Sequence, residues 1–173
     1  MHLWESMTMN EAQTIIKVGI ADLNFAKKPE HLRTSGLGSC VGLVVYDAKT
    51  GIAGLAHILL PDSNLARQKE INIYKYADTA VPFLIDQLIK KGALTDRLKA
   101  KMAGGAQMFQ FTSKSNMMRI GPRNIEAVQE ELREYRIPIV AEDVGGNAGR
   151  TIEFDTMTHD LKVRKINQEE FFI

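Results

Sequence analysis

Apolar and polar positions cluster or alternate along this chain in ways that mark its elements before any chemistry is considered. Residues 14–26, TIIKVGIADLNFA, are β-branched with partial alternation, and the short apolar runs 40–47 (CVGLVVYD) and 52–60 (IAGLAHILL) read as strands. These two runs are joined by DAKTG, whose Asp, Gly and short length suit a hairpin loop. Residues 61–76 are polar and read as a surface loop. Within 77–92, Ala80, Val81, Leu84, Ile85 and Leu88 build one apolar helical face that Gly92 ends, and Pro82 implies either a start capped by Asp78 or a kink. Residues 97–106 read as a strand running into a glycine turn. Residues 121–136 form the clearest helix, with Pro122 in its first turn and Ile125, Val128 and Leu132 on one side. IPIVAEDVGG adds a strand, and RTIEFDTMTHDLKVRKI a closing C-terminal hairpin. Two helices and six or seven strands in this order predict an α/β or α+β fold, a single layered domain with a mixed β-sheet.

Composition narrows the classes of function. At 173 residues, 45% apolar and 25% charged, the chain is sized for one soluble domain with its own core. No repeat, low-complexity tract or linker divides it, so the polar residues 1–13 are expected to be a flexible extension and 14–173 the folded domain. No stretch approaches the roughly 20 apolar residues of a membrane span, and no direct membrane insertion is expected. With 22 Lys and Arg against 21 Asp and Glu, and no dense basic tract, there is no electrostatic case for nucleic acid. The lone cysteine excludes an intrachain disulfide, and the amino terminus has neither the basic start nor the apolar centre of a secretory signal. The cytoplasm is therefore the expected compartment. Nothing in the sequence demands an oligomer.

That cysteine, Cys40, stands between a glycine- and serine-rich approach, TSGLGS, and an apolar strand. A lone cysteine is ordinarily a small buried hydrophobe. Here the preceding glycines permit close backbone approach and exposed N–H donors, which a core cysteine does not need. A thiol of pKa about 8.5 is only a few per cent thiolate at neutral pH, so amide or ester cleavage needs an adjacent imidazole to take its proton and later return it. Of the four histidines, His2 is in the extension, His31 is read as part of a charged loop and His159 as part of a turn. His57 lies on the strand that hairpin pairing brings beside Cys40. By itself a histidine in GLAHILLP is more often a hydrogen-bonded core residue. Thr34 or Ser35 could orient the imidazole, by hydroxyl or carbonyl, although either also suits turn chemistry. The backbone N–H groups of Gly38, Ser39 and Cys40 are candidate oxyanion donors.

Competing motifs fail on context. GLGSCVG lacks the third glycine of a dinucleotide fingerprint and enters a strand, while AGGA and VGGNAGR lack the Gly-Lys-Ser/Thr ending of a phosphate loop. One cysteine and scattered histidines make no ligand cluster, so no metal is predicted.

GLGSCVGL, AHILLPDS, KYADTAV, AGGAQMF, IGPRNIEAV and AEDVGGNAGRTIEF, in this order from about Ile16 to Lys165, resemble the CheD family of chemoreceptor glutamine deamidases. The resemblance implies a CheD-like cysteine hydrolase fold over 14–173 and a Cys-His-Thr triad, with Cys40 as nucleophile, His57 as base and acid, and Thr34 as the orienting residue. Ser35 stands where the family's TLGLGSC pattern has Leu, a departure that leaves the triad intact. The implied reaction is hydrolysis of glutamine side-chain amides in methyl-accepting chemotaxis receptors, giving glutamate and ammonia without a cofactor. A receptor helix as substrate calls for a surface beyond the triad, for which the glycine turns at Gly104, Gly105 and Ala106 and at Gly145 and Gly146 are candidate lips; plain turn chemistry is their other reading. The family also implies binding of the CheC phosphatase, whose activity on phosphorylated CheY rises in the complex. Two other readings remain open at this stage: an adaptor of receptors and CheC in which catalysis is secondary or absent, and a thiol amidase acting on another substrate.

Overall fold

The computed structural model describes residues 13–108 and 119–173. The expected extension, residues 1–13, lies outside the described residues except for Gln13. The described elements are strands β1 (Ile15–Lys17), β2 (Leu23–Lys27), β3 (His31–Leu37), β4 (Val41–Asp47) and β5 (Ile52–Ile58), helix α1 (Ala77–Lys90), strand β6 (Leu98–Gly104), helix α2 (Ile120–Glu134), and strands β7 (Ile139–Val144), β8 (Arg150–Asp155), β9 (Leu161–Lys165) and β10 (Phe171–Phe172). They form two five-stranded sheets, ordered β2-β5-β4-β6-β7 and β1-β3-β8-β9-β10. Each is mixed, with one parallel pair, β6–β7 in the first and β1–β3 in the second. The α+β class, two helices and a closing β8–β9 hairpin match the sequence expectation; the strands exceed the expected six or seven and divide between two mixed sheets instead of one.

The apolar pattern explains the layering. Every residue of β4 is buried, because this strand is covered on both sides. Val41, Leu43 and Val45 pack with Leu84 and Leu88 of α1 and Val128 and Leu132 of α2. On the opposite face, Cys40, Val44 and Tyr46 pack with Leu32, Ile152 and Phe154 of the second sheet. Helices, central sheet and outer sheet thus make three layers around two cores, and each fully buried leucine contributes roughly 2 kcal/mol of burial. In β8 buried and half-buried residues alternate strictly, as a sheet covered on only one face requires.

The β4–β5 hairpin forms as the DAKTG turn predicts, with Asp47 opposite Ile52 and Gly42 opposite His57. Asp47 closes it: the buried carboxylate accepts from Lys49 N at 3.0 Å, Leu94 N at 3.1 Å and Arg97 Nη2 at 2.8 Å.

Several elements differ from expectation. Residues 14–26 are two strands in different sheets, divided by a turn in which Ala21 has φ +55°. His31 is not in a loop but begins β3, buried, with Nδ1 3.0 Å from Glu153 Oε2. Asp78 does not cap α1. The helix starts at Ala77 and contains Pro82, and the Asp78 carboxylate accepts from Ser63 N at 2.9 Å and Ser63 Oγ at 2.7 Å. No described helix is long and apolar enough to cross a membrane.

Candidate active site

Hairpin register puts Cys40 and His57 on one face of the central sheet. The ladder ends at Val41 opposite Ile58, so Cys40 stands one position beyond its last pair and two residues from Gly42, the partner of His57. Residues two apart on a strand share a face, and diagonal cross-strand neighbours are about 7–8 Å apart at Cα. That face looks toward the outer sheet, from which β3 brings Thr34.

The Thr34 hydroxyl lies 2.7 Å from the carbonyl oxygen of Val18 and 2.7 Å from His57 Nδ1. A hydroxyl has one proton and a carbonyl can only accept, so Thr34 donates to Val18 O and accepts the hydrogen on Nδ1. This leaves the imidazole lone pair on Nε2, which is buried without a hydrogen-bond partner among the described residues. Thr34 thus contacts His57 through its hydroxyl. Ser35, the other candidate, is exposed on β3. The His57 backbone is also gripped from the 18–22 connection, donating to Asp22 O at 2.9 Å and accepting from Ala21 N at 3.1 Å.

Burial sets the resting protonation. It lowers the His57 pKa to about 4 and raises that of the Cys40 thiol, which is partly offset by the thiol's own backbone N–H. Both groups are therefore neutral near pH 7. Cys40 is 6% exposed and His57 fully buried.

The first glycine turn holds the Cys40 segment, and the second is bonded to the first. Gly105 N donates to Cys40 O and Ala106 N to Gly38 O, both at 2.8 Å, while Gly145 N donates to Gly104 O and Gln107 N to Gly146 O, both at 2.9 Å. Gly104 has φ +108°, and a Cβ there would collide with Cys40 O. Arg150 pins the second turn, donating from Nη2 to Gly145 O at 2.7 Å and from Nε to Asp143 Oδ2 at 2.9 Å. Three crossings between the sheets, at 18–22, 38–40 and 145–149, thus gather at one end of the stack.

Of the candidate oxyanion donors, the Gly38 N–H goes to Gly36 O at 3.1 Å. Neither Ser39 N–H nor Cys40 N–H donates to a backbone carbonyl among the described residues, and the Cys40 N–H faces its own thiol. A Cβ on Gly38 would lie 2.9 Å from Met108 Sδ. Among the described residues no group of three or more His, Cys, Asp or Glu converges as a metal site.

Sequence reasoning missed Asn124. Its side chain is fully buried on α2 and donates to Ser39 O at 2.9 Å and Leu59 O at 3.0 Å. The signal was present, because Asn124 falls on the same helical stripe as the buried Gly121, Val128 and Leu132.

Comparison with known proteins agrees with the resemblance read from the motifs. A family model described as CheD chemotactic sensory transduction matches residues 59–165. The chemoreceptor glutamine deamidase CheD of Halalkalibacterium halodurans is 57% identical over 156 residues, covering 90% of this chain and 96% of that protein. Its counterpart of the same name in Bacillus subtilis is 52% identical over 164 residues, covering 95% and 98%. The chain therefore belongs to the CheD family.

Proposed function

We propose that this chain is a chemoreceptor glutamine deamidase, a protein-glutamine glutaminase that acts in the cytoplasm on methyl-accepting chemotaxis receptors through Cys40, His57 and Thr34. The relatives' names support the activity. The observation that carries the residue roles is the Val18–Thr34–His57 arrangement, which holds the imidazole with its lone pair on Nε2, on the sheet face it shares with Cys40.

The chemistry follows from a neutral thiol–imidazole pair. As Sγ attacks the glutamine carboxamide carbon, the thiol proton passes to Nε2 and the carbonyl oxygen becomes an oxyanion facing the N–H groups of Ser39 and Cys40. Collapse breaks the C–N bond, and the Nε2 proton leaves with ammonia. Water then attacks the thioester while Nε2 takes its proton. The C–S bond breaks, Sγ is reprotonated, and glutamate is released. Binding of CheC belongs to the same proposal and rests on family membership alone.

The test is mass spectrometry of a purified receptor cytoplasmic fragment after incubation with the protein. A gain of about 1 Da at particular glutamines is expected with the wild type and not with Cys40→Ser. Receptors left unconverted by wild type would remove the chemotaxis assignment, and conversion by Cys40→Ser would remove the nucleophile. Loss of conversion with CheC binding and chemotactic function intact would favour the adaptor reading.

A further inference from the structure

The hairpin that carries Cys40 and His57 lacks its last rung at the point where their geometry is set. Pairing between β4 and β5 stops at Val41 and Ile58. Beyond it the N–H groups of Leu59 and Leu60 both turn to Lys75 O, at 2.9 and 3.0 Å, and Leu60 bridges Tyr76. Ser39 O and Leu59 O are left on either side of the gap without a backbone donor from each other's strand. An unpaired buried carbonyl costs free energy, and here it would also release the residues next to the nucleophile and the base.

Asn124 fills this gap from the helical layer. Both short contacts are to carbonyl oxygens, so the contacting atom is the amide nitrogen, and its two hydrogens serve Ser39 O and Leu59 O together. The Asn124 amide oxygen is buried without a partner among the described residues. Asn124 itself is fixed by the close seat of α2 on the glycine turn, since a Cβ on Gly121 would collide with Ala106 O and come within 2.6 Å of Gly105 O. One helix turn therefore contacts the lip of the site and the next ties the Cys40 crossing to the end of β5.

We propose that Asn124 is a positioning residue of the deamidase, whose side-chain amide supplies the missing β4–β5 rung and so sets the Cys40 thiol relative to His57 Nε2. This rests on the function proposed above. An apolar residue of similar size would fill the volume but leave both carbonyls unpaired.

The test uses Asn124→Asp, near in shape but without the two amide donors, and Asn124→Ser, which retains one smaller donor. Each is compared with wild type and His57→Gln for folding by circular dichroism, for kcat and KM on a receptor cytoplasmic fragment, and for the pH dependence of Cys40 alkylation by iodoacetamide. The expected result is a folded Asn124→Asp with kcat at least tenfold lower, KM within threefold of wild type, and an alkylation profile moved toward that of His57→Gln, with Asn124→Ser between. Variants that melt earlier yet keep kcat within twofold and the wild-type alkylation profile would show Asn124 to be structural only and overturn the proposal. If wild type deamidates no receptor, the function reading fails separately, and the alkylation profiles alone decide on Asn124.

Discussion

Thr34 and His57 belong to strands of different sheets, yet their side chains meet at 2.7 Å. The contact has a direction, because the hydroxyl proton is committed to Val18 O. Removing the hydroxyl removes an acceptor for Nδ1–H and with it the preference for a lone pair on Nε2. Thr34→Val is expected to fold and to lower kcat about 100-fold, within the range of a misdirected general base. Thr34→Ser, which keeps the hydroxyl but loses the branch that stiffens χ1, is expected to stay within about fivefold of wild type. Equal activity of Thr34→Val and wild type would separate Thr34 from the reaction.

The depressed His57 pKa predicts two pH effects. Nε2 accepts a proton only while the ring is neutral, and burial holds it neutral down to about 4. The acid limb of kcat/KM is therefore expected below pH 5 instead of near the ordinary histidine value of about 6.5. For stability the sign is fixed by the same shift. The unfolded chain binds this proton more readily, so the contribution is fully present above about pH 6.5 and is lost as pH falls toward about 4. His159 is shifted down as well, first by burial and then by Lys28 and Lys101, so the comparison to make is thermal melting of wild type against His57→Gln across this range. A variant melting curve that depends on pH as steeply as wild type would rule out His57 as the source.

Gly104 is expected to be intolerant of any side chain. Its positive φ disfavours L-residues, and a Cβ would meet Cys40 O, which accepts from Gly105 N. Gly104→Ala should lower kcat more than tenfold through displacement of Cys40, with a melting temperature reduced by several degrees. Unchanged kcat in a soluble Gly104→Ala would show that the turn does not set the nucleophile.

At the other end of β4 the effects should separate. The Asp47 carboxylate is fully buried and paired with Arg97 at 2.8 Å. Asp47→Asn removes the charge that Arg97 and the Leu94 and Lys49 N–H groups face, and about 3 kcal/mol of stability is expected to go with it. Deamidation per folded molecule should stay within twofold, because the substitution lies at the far end of the strand from Cys40. Urea melts and activity normalised to folded protein check the two halves.

The sequence made the hairpin legible because β4 and β5 are apolar and a short Asp/Gly turn joins them, and that alone put Cys40 near His57. It hid β3, since His31, Arg33, Thr34, Ser35 and Gly36 carry the polarity of a loop. In the fold His31 Nδ1 is paired with Glu153 and the Thr34 hydroxyl with Val18 and His57, long-range partners that no local pattern announces. The run 14–26 hid its break for the opposite reason, because Val18 and Ile20 keep the apolar pattern going through the crossing. The bond from Gly38 N–H to Gly36 O was not legible because its acceptor is two residues back, in a tight turn that composition alone does not specify.

The gathering of three sheet-to-sheet crossings at one end has a consequence for anyone wishing to transplant this chemistry. A peptide spanning the hairpin would carry sulfur and imidazole but free the ring to exchange tautomers, because Val18 and the strand that holds Thr34 stay behind. The smallest portable unit is a stack of both sheets, and a scaffold that allowed the layers to slide would lose the proton's direction while keeping every reactive group.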